Sequence, residues 1–117
     1  MADLRRSFGA AGEDLVARIL EQRGTTIVAR NARTRYGEID LVCRDRGAYL
    51  FVEVKTRGRH SFVAPEEALD RRKVARLLRL AQSWLAARGE RAVPFRVVLA
   101  AVTAGPAGSA VAFIDVE

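Results

Sequence analysis

This chain is short of several residue types, and each shortage narrows its chemistry. It has one cysteine, Cys43, so no disulfide can form within it. Cys43 lies in an apolar run and reads as a small buried hydrophobe, with a reducing cytoplasm the expected compartment. His60 is the only histidine. It reads as an exposed loop residue, with a phosphate contact or a proton transfer as the alternative. Only Lys55 and Lys73 are lysines among twenty basic residues. No apolar run approaches transmembrane length, so no membrane partner is expected. The first fifteen residues, MADLRRSFGAAGEDL, hold no long apolar stretch of the kind a secretory signal needs. Internal repeats and low-complexity linkers are also lacking.

What is present suits one domain spanning residues 1–117, of which half are apolar. The net charge is +6 and the isoelectric point near 10.6. That balance invites a polyanionic partner, nucleic acid above all. An arginine-rich solvated surface is the alternative.

Residues 7–23 have the spacing of an amphipathic helix, with Ser7 as N-cap, Gly24 as stop, and Phe8, Ala11, Leu15, Val16, Ile19 and Leu20 on one face. Gly9 and Gly12 either weaken its first turns or allow close packing there. Glu13 borders the apolar stripe. It either points inward over a sheet or is a solvated helix acid. Residues 25–30 predict a first strand. Residues 31–37 predict a polar turn whose Arg33, Arg35 and Tyr36 could grip phosphates or stack on a base. Residues 58–64 read as a loop. A second helix is expected over residues 65–88, with Pro65 at its first position, Gly89 as stop, and Lys73 inside its apolar stripe. Lys73 either snorkels past the core or reaches a phosphate or a carboxylate. Residues 93–103 predict a central strand, apolar on both faces. After a turn, residues 110–116 predict a last strand. The class is α/β, in the order α-β-β-β-α-β-β.

The stretch over residues 37–57, GEIDLVCRDRGAYLFVEVKTR, is two apolar runs joined by a polar turn containing Gly47. Charges stand inside both runs. Asp40 is in the first, and Glu53 and Lys55 share a face of the second. Charges in strands are costly unless they are paired or bind metal. Pairing the runs brings Asp40 near Glu53 and Lys55. Two carboxylates, with Glu13 as a third and the Val54 carbonyl beside them, are hard oxygen ligands for Mg²⁺ or Mn²⁺. Lys55 could orient or deprotonate a water, or stabilise charge building on a phosphate. A strand-to-strand ion pair of Lys55 with Asp40 or Glu53 is the bland alternative.

GEIDLV followed by FVEVKTR resembles the YraN family of small bacterial proteins, in the restriction-endonuclease-like PD-(D/E)xK superfamily. The likeness covers most of the chain. It includes Gly12-Glu13, Asn31, the run from Gly37 to Asp40, the run from Phe51 to Arg57, and Lys73. It implies a restriction-endonuclease-like core, a central mixed sheet flanked by helices, similar in layout to archaeal Holliday-junction resolvases. It also implies Glu13, Asp40 and Glu53 as metal ligands and Lys55 as catalytic lysine. Two positions depart from the pattern. Ile39 replaces the proline before Asp40, and Arg96 stands where the family usually has an aspartate.

The expected function is a divalent-metal-dependent endonuclease hydrolysing DNA phosphodiester bonds, on branched or single-stranded DNA. The alternative is a non-catalytic nucleic-acid-binding protein of repair, recombination or RNA metabolism. Arg33, Arg35, Tyr36, Arg57 and Lys73 are the expected nucleic-acid contacts in either case. Related resolvase-like nucleases are dimers, which makes a homodimer a further expectation.

Overall fold

A computed structural model describes residues 4–58 and 70–116, with side chains from residue 9 onward. The elements are α1 (Leu4–Gln22), β1 (Thr26–Thr34), β2 (Gly37–Asp45), β3 (Ala48–Gly58), α2 (Arg71–Ala87), β4 (Phe95–Gly105) and β5 (Gly108–Asp115). This is the order expected from the sequence. The strands form one mixed sheet in the order β1-β2-β3-β4-β5. Neighbours are antiparallel except β3 and β4, which are parallel and joined through α2.

Each helix covers one face of the sheet. Leu50 and Val52 of β3 face Val16, Ala17 and Leu20 of α1, together with Leu41, Cys43, Val98 and Ala100. Tyr49 and Phe51 face Leu77, Leu80, Trp84 and Leu85 of α2. The strand's period of two thus feeds two cores. Trp84 stands edge-on to Phe51 and Tyr49, with ring centroids 5.8 and 5.4 Å apart. Each such pair adds about 0.5–1.5 kcal/mol beyond the area it buries. Val97 to Val102 of β4 are all buried, as expected of a central strand.

The β2–β3 turn is two residues long. Arg46 (φ 53°) and Gly47 (φ 81°) both have positive φ, the conformation whose twist matches the flanking strands. Both helices stop at glycine. Thr25 N–H reaches the Leu20 carbonyl, and Glu90 N–H reaches that of Leu85, closing the last turns.

Several boundaries differ from the sequence expectation. α1 begins at Leu4, so Ser7 lies inside it and is not its cap. β1 continues to Thr34, so Ala32 to Thr34 pair with β2 and do not form a turn. Only Arg35 and Tyr36 turn the chain, held by the Thr34 hydroxyl, which accepts from Tyr36 N–H and donates to the Gly37 carbonyl. α2 starts at Arg71, because Asp70 is extended and its carboxylate caps the Lys73 N–H at 2.8 Å. The helix therefore does not run unbroken from Pro65, and Pro65 and His60 lie outside the described residues. β4 and β5 are each shifted by two residues at their starts, to Phe95 and Gly108. Among the described residues, no helix is long and apolar enough to cross a membrane.

Candidate functional site

The β2–β3 ladder is regular from Asp45↔Ala48 to Leu41↔Val52 and then stops. Asp40 is the cause at the next position. Its Oδ2 accepts the Val54 N–H at 2.7 Å, taking a donor that a continued ladder would give to the β2 backbone. In a hydrogen-bonded antiparallel position, N–H and C=O leave the strand on the same edge. The Val54 carbonyl therefore faces this same gap. Side-chain alternation also breaks here, for Ile39 packs beneath α2 and Leu41 beneath α1, although they are two residues apart. On β1 the position across from Asp40 is Asn31, between the Arg30↔Leu41 and Ala32↔Ile39 pairs, and its φ is 49°.

The gap lets carboxylates from opposite faces of the sheet meet. Glu13 comes from α1 and Glu53 from the α2 face of β3, and each is within hydrogen-bonding reach of Asp40. Burial, then the charge and hydrogen bond of Asp40, push the Glu13 carboxyl up to about 7. Burial, then the hydrogen bond and charge of Asp40, push Glu53 to about 7 as well. Nearby cations only partly offset this. Arg30 does so for Glu13, while Lys55 and Arg76 do so for Glu53. Each Glu therefore holds its proton far above the ordinary carboxylate range, as a buried carboxyl beside a like charge does.

Glycine 12 sets the position of Glu13. A Cβ built there would collide with the Thr56 hydroxyl, so only glycine allows α1 this close to β3. The Thr56 Oγ1 is buried and without a hydrogen-bond partner. An ion pair of Asp14 with Arg30, at 2.6 Å, ties the same turn of α1 to β1. Both partners are well exposed, so the pair contributes little to stability.

Cations gather on the α2 side. Arg76 Nη2 stands 3.4 Å from Glu53 Oε2. The Lys73 ammonium is depressed by its own burial and then by Lys55, with Arg76 and Arg57 adding to the effect and Glu53 opposing it. Lys55, Lys73, Arg76 and Arg57 thus form one basic group flanking Glu53. Lys55 itself is exposed.

The sequence-predicted residues are distributed as follows. Glu13, Asp40, Glu53, Val54 and Lys55 converge at the gap. Arg57 and Lys73 lie beside them. Arg33, Arg35 and Tyr36 sit at the β1–β2 turn, where Arg33 pairs with Glu38 at 3.2 Å and the Arg79 guanidinium lies 5.5 Å from the Tyr36 ring centre. The pairing of Arg76 with Glu53 is not among the sequence expectations. The spacing of three between Lys73 and Arg76 was the available signal, since such residues share a helix face. Arg96 lies at the start of β4 opposite Leu50. That is three positions from the level of Glu53, roughly 10 Å along the sheet. Its departure from the family pattern does not touch the carboxylates.

Among the described residues no group of three or more His, Cys, Asp and Glu side chains is placed to hold a metal ion by itself. The carboxylates meet pairwise, through Asp40. Mg²⁺ does not require three protein ligands, because it keeps several waters and is commonly held by one or two carboxylates plus substrate oxygens. The donors at the gap are all oxygens, which suits Mg²⁺ and Mn²⁺.

The sequence profile of the family described as "Uncharacterised protein family UPF0102" matches residues 12–102. That span contains every residue of the cluster. A UPF0102 protein of Symbiobacterium thermophilum is 44% identical over 105 residues, covering 90% of this chain and 89% of the relative. One of Beutenbergia cavernae is 46% identical over 104 residues, covering 89% and 88%. One of Nocardia farcinica is 51% identical over 82 residues, covering 70% and 65%.

Proposed function

This chain belongs to the UPF0102 family, and we propose that it is a divalent-metal-dependent endonuclease acting on DNA, with a restriction-endonuclease-like core. UPF0102 is the family that the two central motifs resemble under the name YraN. One observation carries the reading. Asp40 ends the β2–β3 ladder and gathers Glu13 and Glu53, from opposite faces, beside Lys55. A merely structural ion pair would not need three acids drawn together where burial, and then Asp40, hold two of them near pKa 7.

Glu13, Asp40, Glu53 and the Val54 carbonyl would hold Mg²⁺ or Mn²⁺. When bound, the cation supplies Lewis-acid neutralisation of charge on the phosphoryl oxygens. The chain's own residues do the rest. Lys55, exposed next to Glu53, orients the attacking water or meets the charge that develops on the phosphate. Lys73, Arg57 and Arg76 raise the local positive potential and hold the phosphate backbone.

The mixed five-stranded sheet with one helix on each face agrees with the core that the family resemblance implies. Cutting both strands of a duplex or junction requires two sites, so the protein works as a homodimer. β5 is the surface suited to that. It is an edge strand with no charged residue from Gly108 to Ile114, whereas the other edge, β1, carries Arg30 and Arg33.

A second reading rests on Arg76. An arginine beside Glu53 is an internal substitute for a metal ion, as expected in a protein that binds nucleic acid without cutting it. One assay separates the two readings. Labelled duplex, single strand, flap, four-way junction and RNA are incubated with parent and Asp40→Ala protein in Mg²⁺, Mn²⁺ or chelator. Cleavage that requires metal and disappears in the variant supports the endonuclease. Salt-sensitive binding without cleavage under any condition supports the binder.

A further inference from the structure

α2 is basic in a way that its own stability does not explain. Arg71, Arg72, Lys73, Arg76 and Arg79 lie in a helix that contains no acidic residue between Arg71 and Ala87. Three of these cations crowd the first turn, the positive end of the helix dipole, where positive charge is unfavourable. Helical spacing puts Lys73, Arg76 and Arg79 on one side, and contacts continue the line. Arg76 reaches Glu53 at one end, and a Cβ on Gly37 would lie 3.8 Å from Arg76 Nη1. Arg79 lies over Tyr36, the one exposed large hydrophobic residue among those described, with 48% of its surface accessible. Beyond Tyr36, a groove of about 450 Å³ is lined by Arg33, Thr34, Arg35, Trp84, Ala87 and Arg88. The Arg88 guanidinium sits 4.5 Å from the centre of the Trp84 ring at its floor.

We propose that this line is the path of a single DNA strand leading away from the carboxylate cluster, with one unpaired base stacked on Tyr36 and the strand entering the groove between Arg35 and Arg88. The path deepens the nucleic-acid reading above and rests on it. The run from Lys73 to Arg88 spans ~22 Å at 1.5 Å per residue, the length of about six nucleotides at 3.4 Å each. A single strand fits better than a duplex for two reasons. The cations form one row where a duplex offers two phosphate ridges, and Tyr36 offers one ring to a base face that a paired stack keeps covered.

The test is equilibrium binding in chelator, so that cleavage plays no part. The probes are a fluorescein-labelled polythymidine strand and a mixed-sequence duplex, titrated over a range of salt. Tyr36→Ala is expected to weaken single-strand binding by about 5- to 150-fold, the range for loss of one stacked base. Arg35→Ala and Arg88→Ala should each lower the slope of log affinity against log salt by about 0.7. Arg18→Ala, an exposed arginine on α1 across the sheet, is the control and should leave the slope closer to that of the parent. Asp40→Ala protein should still bind. The path is overturned if the parent does not bind the single strand, if Arg18→Ala changes the slope as much as Arg35→Ala and Arg88→Ala do, or if Tyr36→Ala binds like the parent. Loss of cleavage alone bears on the endonuclease reading and leaves the path standing.

Discussion

The Asp40 carboxylate accepts the Val54 N–H at 2.7 Å, at the position where β2 and β3 part. One side chain thus closes the ladder, opens the sheet to Glu13 and Glu53, and leaves the Val54 carbonyl facing the same gap. Asp40→Asn keeps an acceptor for the N–H and removes the charge. It should retain the fold and lose metal-dependent cleavage by more than about 100-fold. Asp40→Ala should lose cleavage equally and be less stable than Asp40→Asn by about 1 kcal/mol, because the N–H loses its partner. Urea unfolding of the two variants and cleavage of labelled DNA check both statements. Cleavage at the parent's rate in either variant rejects Asp40 as a metal ligand.

Stability in chelator should fall as pH rises from about 4.5 to about 7. In the folded protein Glu13 and Glu53 titrate near 7, while in the unfolded chain they titrate near 4.5. Between those values the native state holds protons that the unfolded state has released, so each step up in pH favours unfolding. Above about 7 both states are ionised and the loss levels off. Asp40→Asn should flatten the curve, since its charge and hydrogen bond are among the causes of both shifts. Mg²⁺ or Mn²⁺ should raise the melting temperature most at the alkaline end, where the carboxylates are free of protons. Melting curves across pH, with and without metal, check this, and a profile as steep in Asp40→Asn as in the parent would mean that Asp40 does not act on the two glutamates.

Two glycines of α1 should respond in opposite directions to the same substitution. Gly12→Ala drives a methyl group into the Thr56 hydroxyl and forces α1 away from β3. Overpacking of this kind costs about 1–3 kcal/mol, and it should reduce cleavage as well by displacing Glu13. Gly9 has nothing within 4 Å of an added Cβ. Gly9→Ala should stabilise by about 0.5–1 kcal/mol, the ordinary gain of alanine over glycine within a helix. Urea midpoints of the two variants decide the matter, and equal effects would mean that α1 does not pack closely at Gly12.

The edge strand β5 should bring two copies together. Sedimentation over a concentration series is expected to show a dimer for the parent, and Ala112→Lys, a charge on an exposed position of that edge, should shift it to monomer. A parent that sediments as a monomer throughout would reject the edge as an interface.

The element order was readable in the sequence because the local signals agreed. Period-two runs met at Arg46-Gly47, and each helix ended at a glycine. Asp40, Glu53 and Lys55 were readable because charges in apolar strands need a reason to be there. β1 was misjudged beyond Arg30 because it is an edge strand with an exposed outer rim. Asn31, Arg33 and Thr34 therefore have the composition of a turn while they lie within β1, the last two paired with β2. The start of α2 was misjudged because Pro65, Glu66 and Glu67 are strong start signals, whereas the cap that forms is Asp70 on Lys73. The spacing from Lys73 puts Arg76 on the same helix face, but its pairing could not be read from the sequence. Its partner Glu53 lies 23 residues away, and only the packing of α2 on the sheet brings them together.

Lys55 distinguishes catalysis from binding. It stands exposed beside Glu53, and its charge is felt by both Glu53 and Lys73. If Lys55 serves the water or the developing charge, Lys55→Ala should slow single-turnover cleavage by about 10²–10⁴-fold. Affinity for DNA in chelator should then fall far less, because Lys73, Arg57 and Arg76 still face the phosphates. Lys55→Arg restores the charge but not the compact ammonium, so it should recover binding more fully than rate. Equal losses of rate and affinity in Lys55→Ala, both restored by arginine, would make Lys55 a phosphate clamp. The chemical step would then depend on the carboxylates and their metal alone.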